Sequence, residues 1–114
     1  MNEERGSMLQ GTLELLILKI VSLEPIHGWG ITLRMEQMSS NVFLVNQGSL
    51  YPALERLTRR GWLRSEWRTT ESNRRARYYE VTAPGRRRLA TELEGWQRSS
   101  SAVNAILSWS GALP

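Results

Sequence analysis

The sequence predicts a mainly α-helical fold with one small β-hairpin, and three observations support this prediction. Three leucines recur at the four- and three-residue spacing that is typical of one face of a helix: Leu50, Leu54 and Leu57. Gly61 can end that helix. Two strand-like runs follow, at residues 62–68 and 76–82, joined by the polar stretch 69–75. A helix followed by a hairpin with a basic tip is the outline of a winged helix-turn-helix.

Positive charge is concentrated in residues 59–88. This segment holds ten arginines and three glutamates, a net charge of +7, whereas the rest of the chain has a net charge of −3. Arginine can grip a phosphate or a guanine at two points, so a basic segment rich in arginine suits nucleic acid. A GC-rich genome explains the preference for arginine over lysine equally well, but it does not explain the clustering. We therefore expect this segment to bind a polyanion.

The composition argues against several classes of site. The chain has no cysteine, no aspartate and one histidine, which leaves no disulfide, no thiolate ligand and few ligands for a metal. The glutamates are scattered and no phosphate-binding glycine loop is present, so we expect no catalytic site, no metal and no cofactor. No secretory signal is recognisable, and the apolar run 13–23 is too short to cross a bilayer. We expect a cytoplasmic protein.

The chain divides into four predicted parts. Residues 1–7 form a flexible N-terminus, 8–83 the winged helix-turn-helix, 84–110 a C-terminal dimerisation helix and 111–114 a tail. The first helix, residues 8–23, is apolar on more than one side, and such a helix must be covered on more than one face. In so small a protein, we expect a second copy of the chain to provide part of that cover.

The helix boundaries follow from capping residues. A second helix should run from near His27 to about Ser39, with three residues on its inner side: Ile31, Met35 and Met38. His27 is expected to be a structural residue at that helix start. The third helix has two candidate caps, Asn46 and Ser49. We expect it to begin near Asn46 or Gln47, with a local distortion at Pro52.

The last helix should be capped by Thr82 and reach about Trp109, with Pro84 in its first turn. Its apolar residues have the spacing of a coiled-coil seam, which the serines 99–101 interrupt. Gly95 lowers helix propensity, which suggests a close approach beside Trp96. The residues predicted to lie in a dimer interface are Leu9, Leu13, Leu16, Leu89, Leu93, Trp96, Val103, Ile106 and Leu107.

The chain resembles the PadR family of transcriptional regulators, specifically its short members with a single C-terminal helix. The resemblance covers roughly residues 9–107 and is carried by the stretches 11–18, 27–31, 46–57, 61–63 and 77–86. Trp29 stands where the family usually has tyrosine. The resemblance implies a homodimer, repressor-type binding to a two-fold site in double-stranded DNA, and often release by a small ligand. Because relatives bind flat aromatic compounds between their subunits, Trp96 is a candidate to stack on such an effector, and dimer packing is its alternative role.

A winged helix places the N-terminal residues of its third helix in the major groove. The candidate DNA contacts on that helix are Gln47, Ser49, Tyr51 and Pro52, with Arg56 and Arg59 on its outer face for the backbone. Tyr51 could instead pack against the core or the wing. The candidates in the hairpin loop are Asn73, Arg74, Arg75 and Arg77, which suit a minor groove or a phosphate. Arg86–Arg88 form a secondary candidate, because cations at a helix start need a phosphate or a glutamate partner.

One alternative function remains open at this point. A winged-helix protein–protein adaptor could use the same basic surface on an acidic partner. RNA binding is less well supported, because the sequence lacks the aromatic sheet residues or glycine loop of the common RNA-binding folds.

Overall fold

A computed structural model of the chain describes residues 2–114, with side chains from residue 11 onward. Over this range the chain forms four helices and a three-stranded sheet: α1 (Asn2–Leu23), β1 (Ile26–His27), α2 (Gly28–Met38), α3 (Gln47–Arg59), β2 (Leu63–Thr69), β3 (Arg75–Val81) and α4 (Ala83–Leu107). The predicted mainly α fold with a hairpin is confirmed. Helix α1 begins at Asn2. This boundary does not test whether residues 1–7 are flexible, so the flexible N-terminus stays a prediction. The candidate Leu9 lies outside the described side chains.

The sheet is antiparallel with the strand order β1-β3-β2. Strands β2 and β3 pair from Leu63 opposite Val81 to Thr69 opposite Arg75, which places the hairpin within one residue of its predicted bounds. Strand β1 was not predicted. Two residues are too short for a sequence pattern, and Ile26 and His27 are extended because they pair with Tyr79 and Tyr78 of β3.

Helix α3 begins and ends on clear capping motifs. Asn46 is its N-cap, and the side-chain oxygen accepts the N–H of Ser49, so Ser49 is not the cap. The helix continues through Pro52 as far as Arg59. Gly61 has φ +78°, and the N–H groups of Gly61 and Trp62 donate to the carbonyls of Thr58 and Leu57. These two bonds form a Schellman motif, which confirms Gly61 as the end of the helix.

The start of α4 is fixed to the end of α3. Thr82 Oγ1 accepts the N–H of Gly85 at 3.0 Å, so Thr82 is the predicted cap, and its N–H donates to the carbonyl of Trp62. The same hydroxyl is 2.6 Å from the carbonyl oxygen of Gly61. A Cβ at Gly85 would stand 2.0 Å from the carbonyl oxygen of Trp62, so only glycine allows this approach.

The core lies between α1, α2, α3 and the inner face of the sheet. Its fully buried side chains include Ile17, Leu18, Ile31, Leu50, Leu54, Leu57 and Leu63. Two expectations need correction. Leu13, proposed for the dimer interface, is 3% exposed within one chain because it packs in this core. Met38, expected on the inner side of α2, is 56% exposed at the last residue of that helix.

Helix α4 leaves the core and is about 37 Å long from its 25 residues. The helix ends at Leu107 rather than near Trp109. Among its residues, Gly85 is buried, at the end where the helix meets the core. A Cβ at Gly95 would meet nothing within 4 Å, so the close approach expected there is not made within the described part of the chain. Among the described residues, none of the helices is long and apolar enough to span a membrane.

We predict that Gly85→Ala destabilises the protein. The added methyl would overlap the backbone carbonyl of Trp62, which cannot move without disturbing α3 and β2. Urea unfolding should show a loss of about 3 kcal/mol in the free energy of unfolding. Gly11→Ala is the control, because that position is exposed on α1 with nothing within 4 Å. It should be neutral or stabilise by up to about 1 kcal/mol. Equal effects at both positions would contradict this reasoning.

Candidate nucleic-acid interface

The first two turns of α3 have one buried and one exposed side. Leu50, Ala53, Leu54 and Leu57 are fully buried and hold the helix to the core. The four predicted DNA contacts on this helix are all exposed: Gln47, Ser49, Tyr51 and Pro52. The leading end of the helix is therefore accessible, as base recognition in a major groove requires.

Tyr51 is both packed and exposed. It is 44% exposed, yet its hydroxyl lies over Gly28, where a Cβ would be only 2.7 Å away. Gly28 therefore allows the tyrosine ring to lie against the start of α2. The two roles considered for Tyr51 from sequence are compatible, because one side of the ring packs while part of its surface stays accessible.

His27 connects three elements. Its Nδ1 accepts the N–H of Gly30 at 3.0 Å, which caps α2. Its ring also meets the ring of Tyr78 edge-on, with 5.2 Å between the centroids. The prediction that His27 is a structural residue at a helix start is confirmed. It fixes α2 against the hairpin.

The hairpin tip, hereafter the wing tip, is a compact turn. The N–H of Thr70 donates to the carbonyl of Arg74 at 2.7 Å, and the N–H of Asn73 donates to the carbonyl of Thr70 at 2.9 Å. Asn73 has φ +61°, a left-handed conformation that asparagine adopts more easily than most residues. Asn73 therefore shapes the turn that presents the exposed side chain of Arg74.

The two faces of the hairpin differ in their charge pairing. On the outer face, Arg64 pairs with Glu80 and Arg68 pairs with Glu66. The inner face is continuous with the core side of the sheet and carries Trp67, Arg75 and Arg77 towards the tip. Neither of these two arginines forms an ion pair with a described side chain. The free positive charge of the hairpin is therefore on the inner face and at the tip.

Tyr79 joins the inner face of the hairpin to α3. Burial raises the pKa of the Tyr79 phenol above its ordinary value, and the guanidinium of Arg77 acts in the opposite direction. Tyr51 and Glu55 of α3 also influence the same phenol. Because Gln47, Tyr51 and Glu55 follow each other at four-residue intervals, they share one face of α3. Tyr51 and Glu55, on this exposed stripe of α3, and Arg77 of the inner hairpin face therefore lie close to Tyr79.

Arg56 is not positioned as expected. Its Nε donates to Glu14 Oε2 at 2.9 Å, and Arg60 reaches the other oxygen of the same carboxylate at 3.1 Å. Arg56 is 28% exposed and Glu14 is 21% exposed. The prediction that Arg56 lies on the outer face is wrong, because its position on α3 faces α1. Arg59, in contrast, is exposed and forms no ion pair with the described side chains.

The basic start of α4 is compensated in part within the chain. Arg88 pairs with Glu92 one turn later, and its guanidinium lies 4.7 Å from the centroid of the Trp62 ring. Arg86 and Arg87 are exposed and form no ion pair with a described side chain. The expected glutamate partner is therefore present for Arg88. Arg86 and Arg87 stay candidates for a phosphate contact.

Sequence reasoning missed two residues of this surface. Trp67 was assigned only to a strand. The register of the hairpin, which places Trp67 opposite Arg77, is the signal that could have shown it to be part of the basic surface. Glu55 looked like one of several scattered glutamates, although its spacing from Gln47 and Tyr51 puts it on the exposed stripe. Among the described residues, no group of three or more His, Cys, Asp or Glu could hold a metal ion.

A family model described as the transcriptional regulator PadR-like family matches residues 17–91, about two thirds of the sequence. The chain belongs to this family. The matched residues run from the core part of α1 through α2, α3 and the hairpin to the first turns of α4. The PadR-like match thus contains the whole candidate interface, and it assigns the protein to DNA-binding transcription regulation rather than to an enzyme class.

Solved structures agree with this assignment. A PadR-like transcriptional regulator from Bacillus cereus is 27% identical with a TM-score of 0.79, and the match covers 91% of this chain and 99% of that one. A PadR family transcriptional regulator from Eggerthella lenta is 26% identical with a TM-score of 0.77 over 96% of both chains. An uncharacterized protein from Lysinibacillus sphaericus is 18% identical over 103 residues, 90% of this chain and 94% of that protein. The predicted PadR-like winged helix is confirmed.

We predict that Arg56→Ala affects stability and not DNA binding. Losing one partner of the partly buried pair with Glu14 should lower the free energy of unfolding by about 1 kcal/mol in urea titrations. The salt dependence of DNA binding should stay unchanged, because Arg56 faces α1. Arg59→Ala, one turn away and exposed, is the control and should change stability by less than about 0.5 kcal/mol. A reduced salt dependence in Arg56→Ala would place Arg56 at the DNA after all.

Proposed function

We propose that this PadR-like protein is a cytoplasmic repressor that binds a two-fold operator in double-stranded DNA as a homodimer. The observation that carries the proposal is that Tyr51 and Glu55 of the exposed α3 stripe lie close to Tyr79 together with Arg77, on the hairpin face that also carries Arg75. The major groove of a duplex admits a helix, and a basic hairpin beside that helix can contact the neighbouring phosphates. The protein–protein adaptor is the alternative that the experiments below would reveal.

The proposed contacts divide into base reading and backbone binding. Gln47 can form a bidentate pair with adenine in the major groove, and Ser49 can donate to a base or a phosphate. Tyr51 and Pro52 would contact the groove through their exposed apolar surface. The arginines of the wing tip and of the inner face would contact phosphates or enter the minor groove: Arg74, Arg75 and Arg77. Backbone contacts give affinity, and the α3 contacts give specificity.

We predict that Arg74→Ala lowers the salt dependence of operator binding. Because each phosphate contact releases a condensed counterion, the slope of log K against log salt should fall by about one. Fluorescence anisotropy with duplexes recovered by in-vitro selection would measure it. Arg68→Ala is the matched control, because Arg68 lies on the outer hairpin face, paired with Glu66. Wild-type protein that selects no duplex sequence would contradict the proposal and favour the adaptor.

The proposed dimer rests on the uncovered apolar side of α4. Leu93, Trp96 and Val103 are 45%, 49% and 53% exposed, and Leu107 is 78% exposed. Together with Leu89, which packs partly on the core, they follow one another at intervals of four, three, seven and four residues along one side of the helix. Apolar patches of this kind on a soluble protein usually mark an interface. A second copy packed along α4, with Leu16 and Ile106 at the edges, would cover them.

We predict that Leu93→Glu converts a dimer to a monomer, because a charge would be buried in the seam. Sedimentation should give the monomer mass, and operator affinity should fall about a hundredfold or more, since the two half-site contacts are no longer linked. Thr91→Glu adds the same charge about 200° around the helix from Leu93 and should leave the dimer intact. A wild-type monomer at micromolar concentration would contradict the dimer. Half-sites in selected DNA should lie about 34 Å apart.

Release by a small aromatic effector is the remaining part of the proposal. Trp96 supports it, because half of this side chain is accessible in one chain and it lies midway along the α4 seam. Two such rings facing each other across a dimer would form an apolar slot for a flat compound. A ligand there would change the angle between the two α4 helices, and with it the spacing of the two α3 helices.

A further inference from the structure

Trp67 lies near the wing tip and carries two arginines on its ring. The guanidinium carbons of Arg75 and Arg77 are 5.6 Å and 5.8 Å from the ring centroid. The strand register explains the arrangement: Arg77 is directly opposite Trp67, and Arg75 is the diagonal neighbour opposite Thr69. All three side chains therefore project from the same hairpin face.

A second Arg–Trp–Arg group in the same protein provides a comparison. Trp62 lies between Arg60 and Arg88, at 5.3 Å and 4.7 Å. Trp62 is half-buried, and each of its arginines also pairs with a glutamate, Glu14 for Arg60 and Glu92 for Arg88. That group is internally neutralised and fastens α1, α3 and α4 together.

The group at Trp67 lacks this neutralisation. Trp67 is 57% exposed, and neither Arg75 nor Arg77 forms an ion pair with a described side chain. Arg77 Nε donates to Ser65 Oγ at 2.8 Å, so one N–H is fixed to the strand while the two terminal nitrogens stay available. A guanidinium stacked on an aromatic ring keeps its N–H edge free for hydrogen bonds to phosphate oxygens.

Stacking also reduces the cost of binding. A free arginine side chain has many rotamers, and immobilising it on a phosphate opposes association. Two arginines already held against one ring lose less freedom when they meet two phosphates. Tyr79 follows Arg77 by two residues on the same hairpin face and lies close to Tyr51 and Glu55 of α3, on the side proposed to face the duplex.

We infer that Trp67 is a positioning residue for DNA binding, which holds the guanidinium groups of Arg75 and Arg77 in place to bind neighbouring phosphates beside α3. The inference rests on the proposed function and adds a component to it. It differs from a purely structural role, in which Trp67 would only stabilise the hairpin by pairing across the strands.

The test compares operator affinity across Trp67 variants at several salt concentrations. Trp67→Leu should weaken binding about tenfold, because Arg75 and Arg77 would no longer be held in place and would have to be immobilised on binding. The salt slope should stay at the wild-type value, because both arginines remain. Trp67→Phe keeps an aromatic face and should stay within about threefold of wild type. The double variant Arg75→Ala, Arg77→Ala should instead lower the slope by about two.

A double-mutant cycle then separates positioning from the two other roles. In the Arg75→Ala, Arg77→Ala background, Trp67→Leu should change affinity less than about twofold, because the groups it positions are absent. A full tenfold loss in that background would mean that Trp67 contacts DNA itself and would overturn the inference. Equal losses for Trp67→Leu and Trp67→Phe, together with a lowered melting temperature, would show a structural role and would also overturn it.

The outcome also separates this inference from the function on which it rests. If wild-type protein binds a selected operator and Trp67→Leu binds equally well, only the positioning role fails. If wild-type protein binds no duplex, both fail. Arg68→Ala is the matched control, since it changes a side chain of the outer hairpin face that pairs with Glu66, and it should leave affinity within about twofold.

Discussion

The close approach of Gly85 to the carbonyl of Trp62 is the constraint on which the rest of the structure depends. At this point the end of α3, the start of β2 and the start of α4 meet, and the hydrogen bonds of Thr82 to Gly61 and Trp62 hold them. Helix α3, the β2–β3 hairpin and the proposed dimerisation helix α4 are therefore joined rigidly at this one point. Any side chain larger than hydrogen at residue 85 would separate them, and their relative positions would no longer be fixed.

This point also links the two halves of the proposed function. A dimer formed along α4 fixes the separation of two α3 helices only if α4 is rigidly joined to α3. The ion pairs of Glu14 with Arg56 and Arg60 add a second connection, from α1 to α3. A change in the packing of α4 would therefore be passed to α3, the helix proposed to face DNA, through packed backbone contacts, which is what the proposed release by an effector requires.

The arginines of residues 59–88 serve two purposes that their clustering in the sequence does not distinguish. Those with a glutamate partner or a half-buried aromatic partner fasten elements together, as Arg60, Arg64 and Arg88 do. Those without such a partner lie at the end of α3, at the wing tip, on the inner hairpin face and at the exposed start of α4. The net charge of the segment therefore overstates the number of arginines available to a polyanion, and the location of the unpaired ones is the more informative quantity.

The sequence by itself determined the elements and their order, because the leucine spacing, the caps Asn46 and Thr82 and the breaker Gly61 act within a few residues of the chain. It also determined the family and the exposed start of α3. Only the tertiary structure decided the long-range contacts. Arg56 pairs with Glu14, Leu13 packs in the core, and β1 forms because it pairs with the edge of β3. The register of β2 and β3 places Trp67 beside Arg75 and Arg77. These outcomes depend on partners 8 to 53 positions away along the chain, and local spacing carries no information about such contacts.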